Sequence, residues 1–278
     1  MYNELLLIMI TKYLEKAILA AVEAGRVIHK IYVESEDFGV ITKADDSPLT
    51  IADKAGHDVI VEQLKDLGIP MLSEEGESIG WETRKEWSTF WCIDPLDGTK
   101  EFINRNGEFT VNIALIQDGQ PIMGVVYLPV TKELYYGSKE NGAFKKLIAK
   151  EGDELLALKD AEKLPNMETK IFTIIASKSH LSPETKDIID ACKERYQDVE
   201  IISCGSSKKL CLLAEGRVNL YPRIAPTMEW DTAAAHAVVT AAGREIVDFD
   251  SKEELRYNKE NLLNPYFMAF DSKFNLND

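Results

Sequence analysis

The sequence predicts an α+β lobe followed by an α/β lobe. Apolar groups recur at helical spacing from about Glu4 to Val33 and again after Thr50. From Ser88 to about Phe144, strand-like runs follow one another with short turns between them. From Ile171 onward, short apolar runs alternate with helical patterns, the order of elements that builds an α/β layer. The chain has 278 residues, long for one compact core, and the expected lobes are residues 1–150 and 151–278.

In chain order, Leu7, Ile10, Leu14, Ile18, Val22 and Ile28 share a face, so the first segment reads as one long helix or two in line. "TKADDSPLT" (Thr42 to Thr50) gathers Asp, Ser and Pro and reads as a turn. A second helix is expected over Ile51 to Leu67, with Gly68 just past its end. "IPMLSEEGES" is a short apolar run that ends in acids, and "STFWCI" reads as a buried strand. "FTVNIALIQDGQPIMGVVYLPVTKELYYGS" holds two or three strands, with "DGQP" turning between the first two. Residues 145–170 are polar and charged and read as a connection between the lobes, with a small hairpin as an open alternative within it. Beyond them "IFTIIAS", "EIIS" and "VNLYP" read as strands. "SPETKDIIDACKERY" (capped at Ser182), "SSKKLCLLAEG" and "EWDTAAAHAVVTAAG" read as helices.

The balance of 47 acidic against 32 basic residues gives a net charge of −15. A general basic field for a nucleic-acid backbone is therefore excluded. An acidic protein handling an anion needs local help, for which bound divalent cations are the usual source. Cys92, Cys192, Cys204 and Cys211 show no zinc or redox spacing and read as reduced thiols of a cytoplasmic protein. The opening "LLLIMI" is too short to span a bilayer and lacks a basic start. It reads as part of the first helix, with peripheral contact at the inner face of the membrane left open, as is the choice between monomer and homodimer.

Chemistry concentrates in "WCIDPLDGTKEF" (Trp91 to Phe102). Pro95 disfavours helix at Asp94, and Gly98 permits a turn most residues would resist. Thr99 is placed to cap a short helix. Two readings stay open on these residues alone. One is a capped turn whose aspartates bond local amides. The other is a cradle of carboxylates and carbonyls for a hard cation such as Mg²⁺. The letters are also similar to phosphatases with an Asp-x-Asp-Gly-Thr nucleophile, but the nucleophile position here is Pro95, so a metal-activated water is the better hypothesis. Glu74 and Glu75 in "LSEE", Asp53 in a helix's first turn and Asp231 at the start of the last helix are each ordinary alone. Together they are acids at element ends, where α/β sites collect. His29, His57 and His236 fit helix faces, and His180 in "SKSH" is a possible substrate contact.

With Glu74-Glu75, Asp94-Pro-Leu-Asp97-Gly-Thr99 and Trp230-Asp231 in that order, nearly the whole chain resembles the inositol monophosphatase superfamily, Mg²⁺-dependent and lithium-sensitive phosphatases. "KADDSPLT", "LDGTKEFINRNGEFTVNIALI" and "EGRVNLYPRIAPTMEWDTAAAHA" are similar to its bacterial 3′(2′),5′-bisphosphate nucleotidase branch, which converts adenosine 3′,5′-bisphosphate to AMP in sulfur assimilation. The resemblance implies a layered αβαβα sugar-phosphatase fold, with most metal ligands in the first lobe and substrate selection in the second. It implies one Mg²⁺ on Glu74, Asp94 and the Leu96 carbonyl, a second on Asp94, Asp97 and Asp231, and a weaker third near Glu74. Asp53 and Thr99 would activate the water. Substrate would lie against Glu74, Leu96, Asp97 and Asp231, with its phosphate at the Gly98 and Thr99 amides. Ser206, Ser207, Lys209 and Arg223 are candidates for the sugar or second phosphate, and Ser177 to His180 for the nucleotide. Glu229, two residues before Asp231, stands where a neutral residue is expected, and either repels phosphate, raises cation demand or points into solvent. Alternatives are an inositol monophosphatase or fructose 1,6-bisphosphatase on the same fold, or a non-catalytic nucleotide sensor.

Overall fold

The computed structural model describes residues 2–43, 47–176, 182–271 and 274. The Leu7 side chain, Ala44 to Asp46 of the expected turn and Ser177 to His180 lie outside the described residues. Helix α1 (Tyr2–Glu34) is a single helix, followed by a small hairpin of β1 (Ile41–Thr42) and β2 (Pro48–Leu49) and by α2 (Ile51–Leu64). Strand β3 (Met71–Ser73), a one-turn α3 (Trp81–Arg84), β4 (Thr89–Asp97) and the short α4 (Thr99–Ile103) come next. A meander then runs through β5 (Thr110–Gln117), β6 (Gln120–Leu128), β7 (Glu133–Ser138), β8 (Gly142–Leu147) and β9 (Glu162–Leu164). The second half contains β10 (Phe172–Ile175), α5 (Pro183–Arg195), β11 (Val199–Ile202), α6 (Lys208–Glu215) and β12 (Leu220–Arg223). Helix α7 (Glu229–Ala241), β13 (Arg244–Asp248) and β14 (Phe267–Asp271) close the chain.

The first sheet has seven strands in the order β3-β4-β5-β6-β7-β8-β9, antiparallel except for the β3–β4 pair. It takes in β9, so it runs beyond residue 150, and the polar stretch 145–170 contributes strand as well as connection. The second sheet has five strands in the order β11-β10-β12-β14-β13. Helices α1 and α2 cover one face of the first sheet; α6 and α7 lie between the two sheets; α5 packs outside the second. The result is five layers, αβαβα.

Three apolar clusters fill the gaps between layers, and they explain the unbroken apolar run Phe90 to Ile93 within β4. Trp91 and Ile93 face α1 and α2, whereas Phe90 and Cys92 face α6 and α7. A strand covered on both faces reads as a continuous apolar run. The alanines of α7 let it approach the sheet closely: a Cβ on Gly124 of β6 would lie 2.1 Å from the Ala234 carbonyl oxygen. That close seating sets the height of α7, and so of Asp231 at its first turn.

Candidate active site

Asp94 and Asp97 are three residues apart, so in a regular strand they would point to opposite faces. Strand β4 solves this with a bulge. Asp94 pairs with Asn112 of β5 and Asp97 with Thr110, so three steps on one strand match two on the other. The extra residue restores both carboxylates to one side. Pro95 sits inside the bulge, where a missing N–H costs no ladder bond. The "turn" of the sequence is therefore an irregularity within the strand. Leu96 N donates to Asp94 Oδ1 at 2.9 Å and fixes that carboxylate. Gly98 follows with φ of 95°, a left-handed conformation, and α4 starts at Thr99. Thr99 does not cap α4, contrary to expectation. Its hydroxyl turns back and donates to Asp53 Oδ1 at 3.1 Å.

Glu74 arrives on the turn after β3, held by its N–H to the Ile93 carbonyl at 3.1 Å. Asp231 arrives in the first turn of α7, where its Oδ2 accepts from Met228 N at 2.9 Å. One carboxylate oxygen each from Glu74, Asp94 and Asp231 can be taken within 4.8 Å of the others. Asp97 stands beside this group, its Oδ2 engaged by Ser207 N at 2.6 Å and Ser207 Oγ at 2.8 Å. The Leu96 carbonyl takes a long contact, 3.4 Å, from Thr99 Oγ1.

The electrostatics of the cluster are those of a cation site. Burial pushes the Asp94 carboxyl well above the usual range, and Glu74, Asp97 and Asp231 push it further. Burial and Asp97 push Asp231 up to about 8. Burial also raises Glu74, against the pull of Lys43. Lys43 Nζ donates to Glu74 at 2.7 Å and to Glu75 at 2.5 Å. Burial opposes its charge, but the two glutamates outweigh that and hold its pKa above the ordinary value. The residues fit a divalent cation: hard oxygen donors, buried, converging and repelling one another.

Beside the acids is a cavity of about 220 Å³ lined by Asp97, Gly98, Ser206, Lys209, Arg223 and Asp231 among others. Among the described residues, the Ser206 hydroxyl and the Arg223 Nε are buried there without a hydrogen-bond partner. Arg223 Nη2 donates to the Pro226 carbonyl, 3.1 Å away, and Lys209 Nζ makes a long bond, 3.4 Å, to the Ser206 carbonyl. Unspent donors in a hollow are the chemistry for an anion or a sugar. A larger hollow of about 560 Å³, lined by Met167, Thr169, Ile202 and Arg217 among others, holds none of the clustered acids. The chemistry, not the volume, locates the site.

One candidate gains a further role, and one expectation changes. Ser207 is turned inward: its N–H donates to Asp97, its one hydroxyl hydrogen is shared between Asp97 Oδ2 at 2.8 Å and the Asp231 carbonyl at 2.7 Å, and its oxygen accepts from Asn112 Nδ2 at 2.8 Å. It braces the acids and also lines the hollow beside them. Glu229 neither faces the phosphate nor reaches solvent. It is fully buried and accepts from Asn258 N, Lys259 N and Lys259 Nζ at 2.6, 2.9 and 2.6 Å. Its charge is matched where it lies. Sequence reasoning missed Lys43 beside Glu74, Ser207 between the acids, and Thr50, whose N–H and hydroxyl both donate to Asp53 Oδ2. Thr50 carried a signal, because "TIAD" has the spacing of a capping box.

The profile of the inositol monophosphatase family matches residues 9–269. The chain belongs to that family. The 3′(2′),5′-bisphosphate nucleotidase CysQ of Shigella flexneri is 44% identical over 256 residues, covering 91% of this chain and 98% of that protein. The crystal structure of CysQ from Bacteroides thetaiotaomicron, a bacterial member of the family, matches with a TM-score of 0.85 at 48% identity, covering 95% and 98% of the two chains. An inositol monophosphatase from Anabaena matches at a TM-score of 0.68 and 24% identity over 94% and 91%, a likeness of fold. The family's fold is the layered arrangement described above. Among the described residues, no helix is long and apolar enough to cross a membrane.

Proposed function

We propose that this chain is a Mg²⁺-dependent phosphatase that removes the 3′-phosphate of adenosine 3′,5′-bisphosphate, giving AMP and phosphate in the cytoplasm. The observation that carries the reading is the pairing of two features in one cleft: a buried, self-repelling acid cluster, and beside it a hollow with unpartnered Arg223 and Ser206 donors. A monophosphate substrate would need only the first. Likeness to nucleotidases at 44% identity supports the same substrate class.

Glu74, Asp94, Asp231 and the Leu96 carbonyl would hold metal, with Asp97 joining as Ser207 shares it. Bound Mg²⁺ supplies Lewis acidity and a water of lowered pKa. The chain's own part is the proton. Thr99 Oγ1 orients the attacking water, and its hydrogen bond to Asp53 Oδ1 gives the water's proton a place to go. The water oxygen bonds to phosphorus as the 3′-oxygen leaves with its electron pair. Gly98, left-handed at the start of α4, lines the hollow where the phosphate would lie. Arg223 and Lys209 would hold the 5′-phosphate.

Phosphate release from adenosine 3′,5′-bisphosphate, followed with and without Mg²⁺ and with Li⁺, tests this. Metal-dependent, lithium-inhibited turnover is expected. Tight nucleotide binding without phosphate release would favour a sensor instead.

A further inference from the structure

We infer that Thr50 is a positioning residue for the reaction: it locks one oxygen of Asp53 so that the other alone is left to receive the proton. The inference rests on Asp53 acting as base, as proposed above.

Asp53 is 2% exposed, at the third position of α2. A carboxylate offers about four lone-pair sites. Its Oδ2 accepts two hydrogen bonds from one residue, Thr50 N at 2.7 Å and Thr50 Oγ1 at 2.5 Å. That oxygen is filled. Oδ1 accepts from Thr99 Oγ1 at 3.1 Å and keeps its second site.

The direction of the Thr50 hydroxyl follows from its surroundings. Ala52 N donates to Thr50 Oγ1 at 3.2 Å, the N-terminal cap of α2. With that lone pair engaged, the hydroxyl hydrogen is left to point at Asp53. One side chain therefore caps the helix and clamps the carboxylate through the same oxygen. The clamp fixes the rotation of the Asp53 carboxylate about its terminal bond, so Oδ1 faces Thr99. Without the hydroxyl the group can turn, and either oxygen can drift from Thr99. Burial raises the Asp53 carboxyl, and the Thr50 and Thr99 donors oppose this. Thr50 therefore also helps keep Asp53 in the form that accepts a proton.

The test is a double-mutant cycle in the full-length enzyme with Mg²⁺ and adenosine 3′,5′-bisphosphate, using Thr50→Val, Asp53→Asn and both together. Thr50→Val should lower kcat on the order of tenfold, with KM moved less than about twofold. Thr50→Ser, which keeps the hydroxyl, should restore kcat. In the Asp53→Asn background, Thr50→Val should change kcat by less than about twofold, because the group it acts through is gone. An equal further loss in that background would mean a merely structural role and would overturn the inference. So would wild-type kcat in Thr50→Val beside a depressed Asp53→Asn. Full activity in Asp53→Asn would instead remove the base itself, and with it the reading on which the inference stands. Melting temperatures of all variants are measured alongside. If Thr50→Val does not fold, Thr50→Ala is carried through the same cycle.

Discussion

At the residue scale the account turns on Asp94. It is fully buried, and burial first and the like charges of Glu74, Asp97 and Asp231 second raise its carboxyl; no basic side chain is among the main causes. Asp94→Asn should therefore do two opposite things. Phosphate release should fall by about a thousandfold or more, as expected when a charge-stabilising group of the reaction is lost. The metal-free protein should melt at a higher temperature than wild type, because a buried, repelled carboxylate has gone. Added Mg²⁺ should raise the wild-type melting temperature and leave the variant nearly unchanged. Thermal shift with and without chelator reads both, and a fully active variant would remove Asp94 from the site. Glu229 makes the contrasting case. Its negative charge is paired with the half-buried Lys259 and two backbone N–H groups, so Glu229→Ala should cost about 1–3 kcal/mol by urea unfolding, the penalty for leaving those donors without their acceptor. The sequence could name both residues but not tell them apart. Both are acids at the start of α7 or the end of a strand, and only the loop of Asn258 and Lys259, distant in sequence, decides which is matched.

At the scale of elements, the bulge in β4 and the left-handed Gly98 after it aim the carboxylates. Gly98→Ala should cost about 1–2 kcal/mol from its φ of 95° alone, and its Cβ would also sit 3.3 Å from the Glu108 carbonyl. Activity should fall with it, because α4 would shift Thr99. Helix α7 carries a second testable feature. His236 is fully buried, with Tyr257 OH at 2.9 Å and Glu254 at 3.5 Å facing it. Burial lowers its pKa, partly offset by Glu254. The folded protein then binds fewer protons than the unfolded chain, so stability is lost as pH falls below the ordinary histidine value of 6.5. With Mg²⁺ saturating, the urea midpoint of wild type should drop more between pH 7.5 and 5.5 (about two units across that value) than that of His236→Gln. Helices α1, α2, α5, α6 and α7 were legible in the sequence because each shows helical spacing and most carry a recognisable stop or cap. The bulge was not. Asp-Pro-Leu-Asp looked like a turn, since Pro and Gly punctuate turns and bulges alike.

At the scale of the molecule, the site exists because five layers stack. Glu74, Asp94 and Asp97 come from one edge of the seven-stranded sheet, Asp231 from the helix layer between the sheets, and Arg223 from the end of β12 in the second sheet. Ser207, at the mouth of α6, ties Asp97 to the Asp231 backbone across that junction. Order along the chain revealed the acids, and the alternation after Ile171 revealed the second layer. The sequence could not show that residues 162–164 return to the first sheet, because three residues carry no readable period. The central claim is that this architecture serves a nucleotide with two phosphates. The direct measurement is kcat/KM for phosphate release from adenosine 3′,5′-bisphosphate, inositol 1-phosphate and fructose 1,6-bisphosphate, with Mg²⁺, for wild type and Arg223→Ala. The account predicts that the nucleotide is preferred by about tenfold or more, and that Arg223→Ala removes most of the preference by weakening the nucleotide alone, as loss of a charge-assisted phosphate contact would. Equal or faster turnover of inositol 1-phosphate by the wild-type enzyme would contradict it.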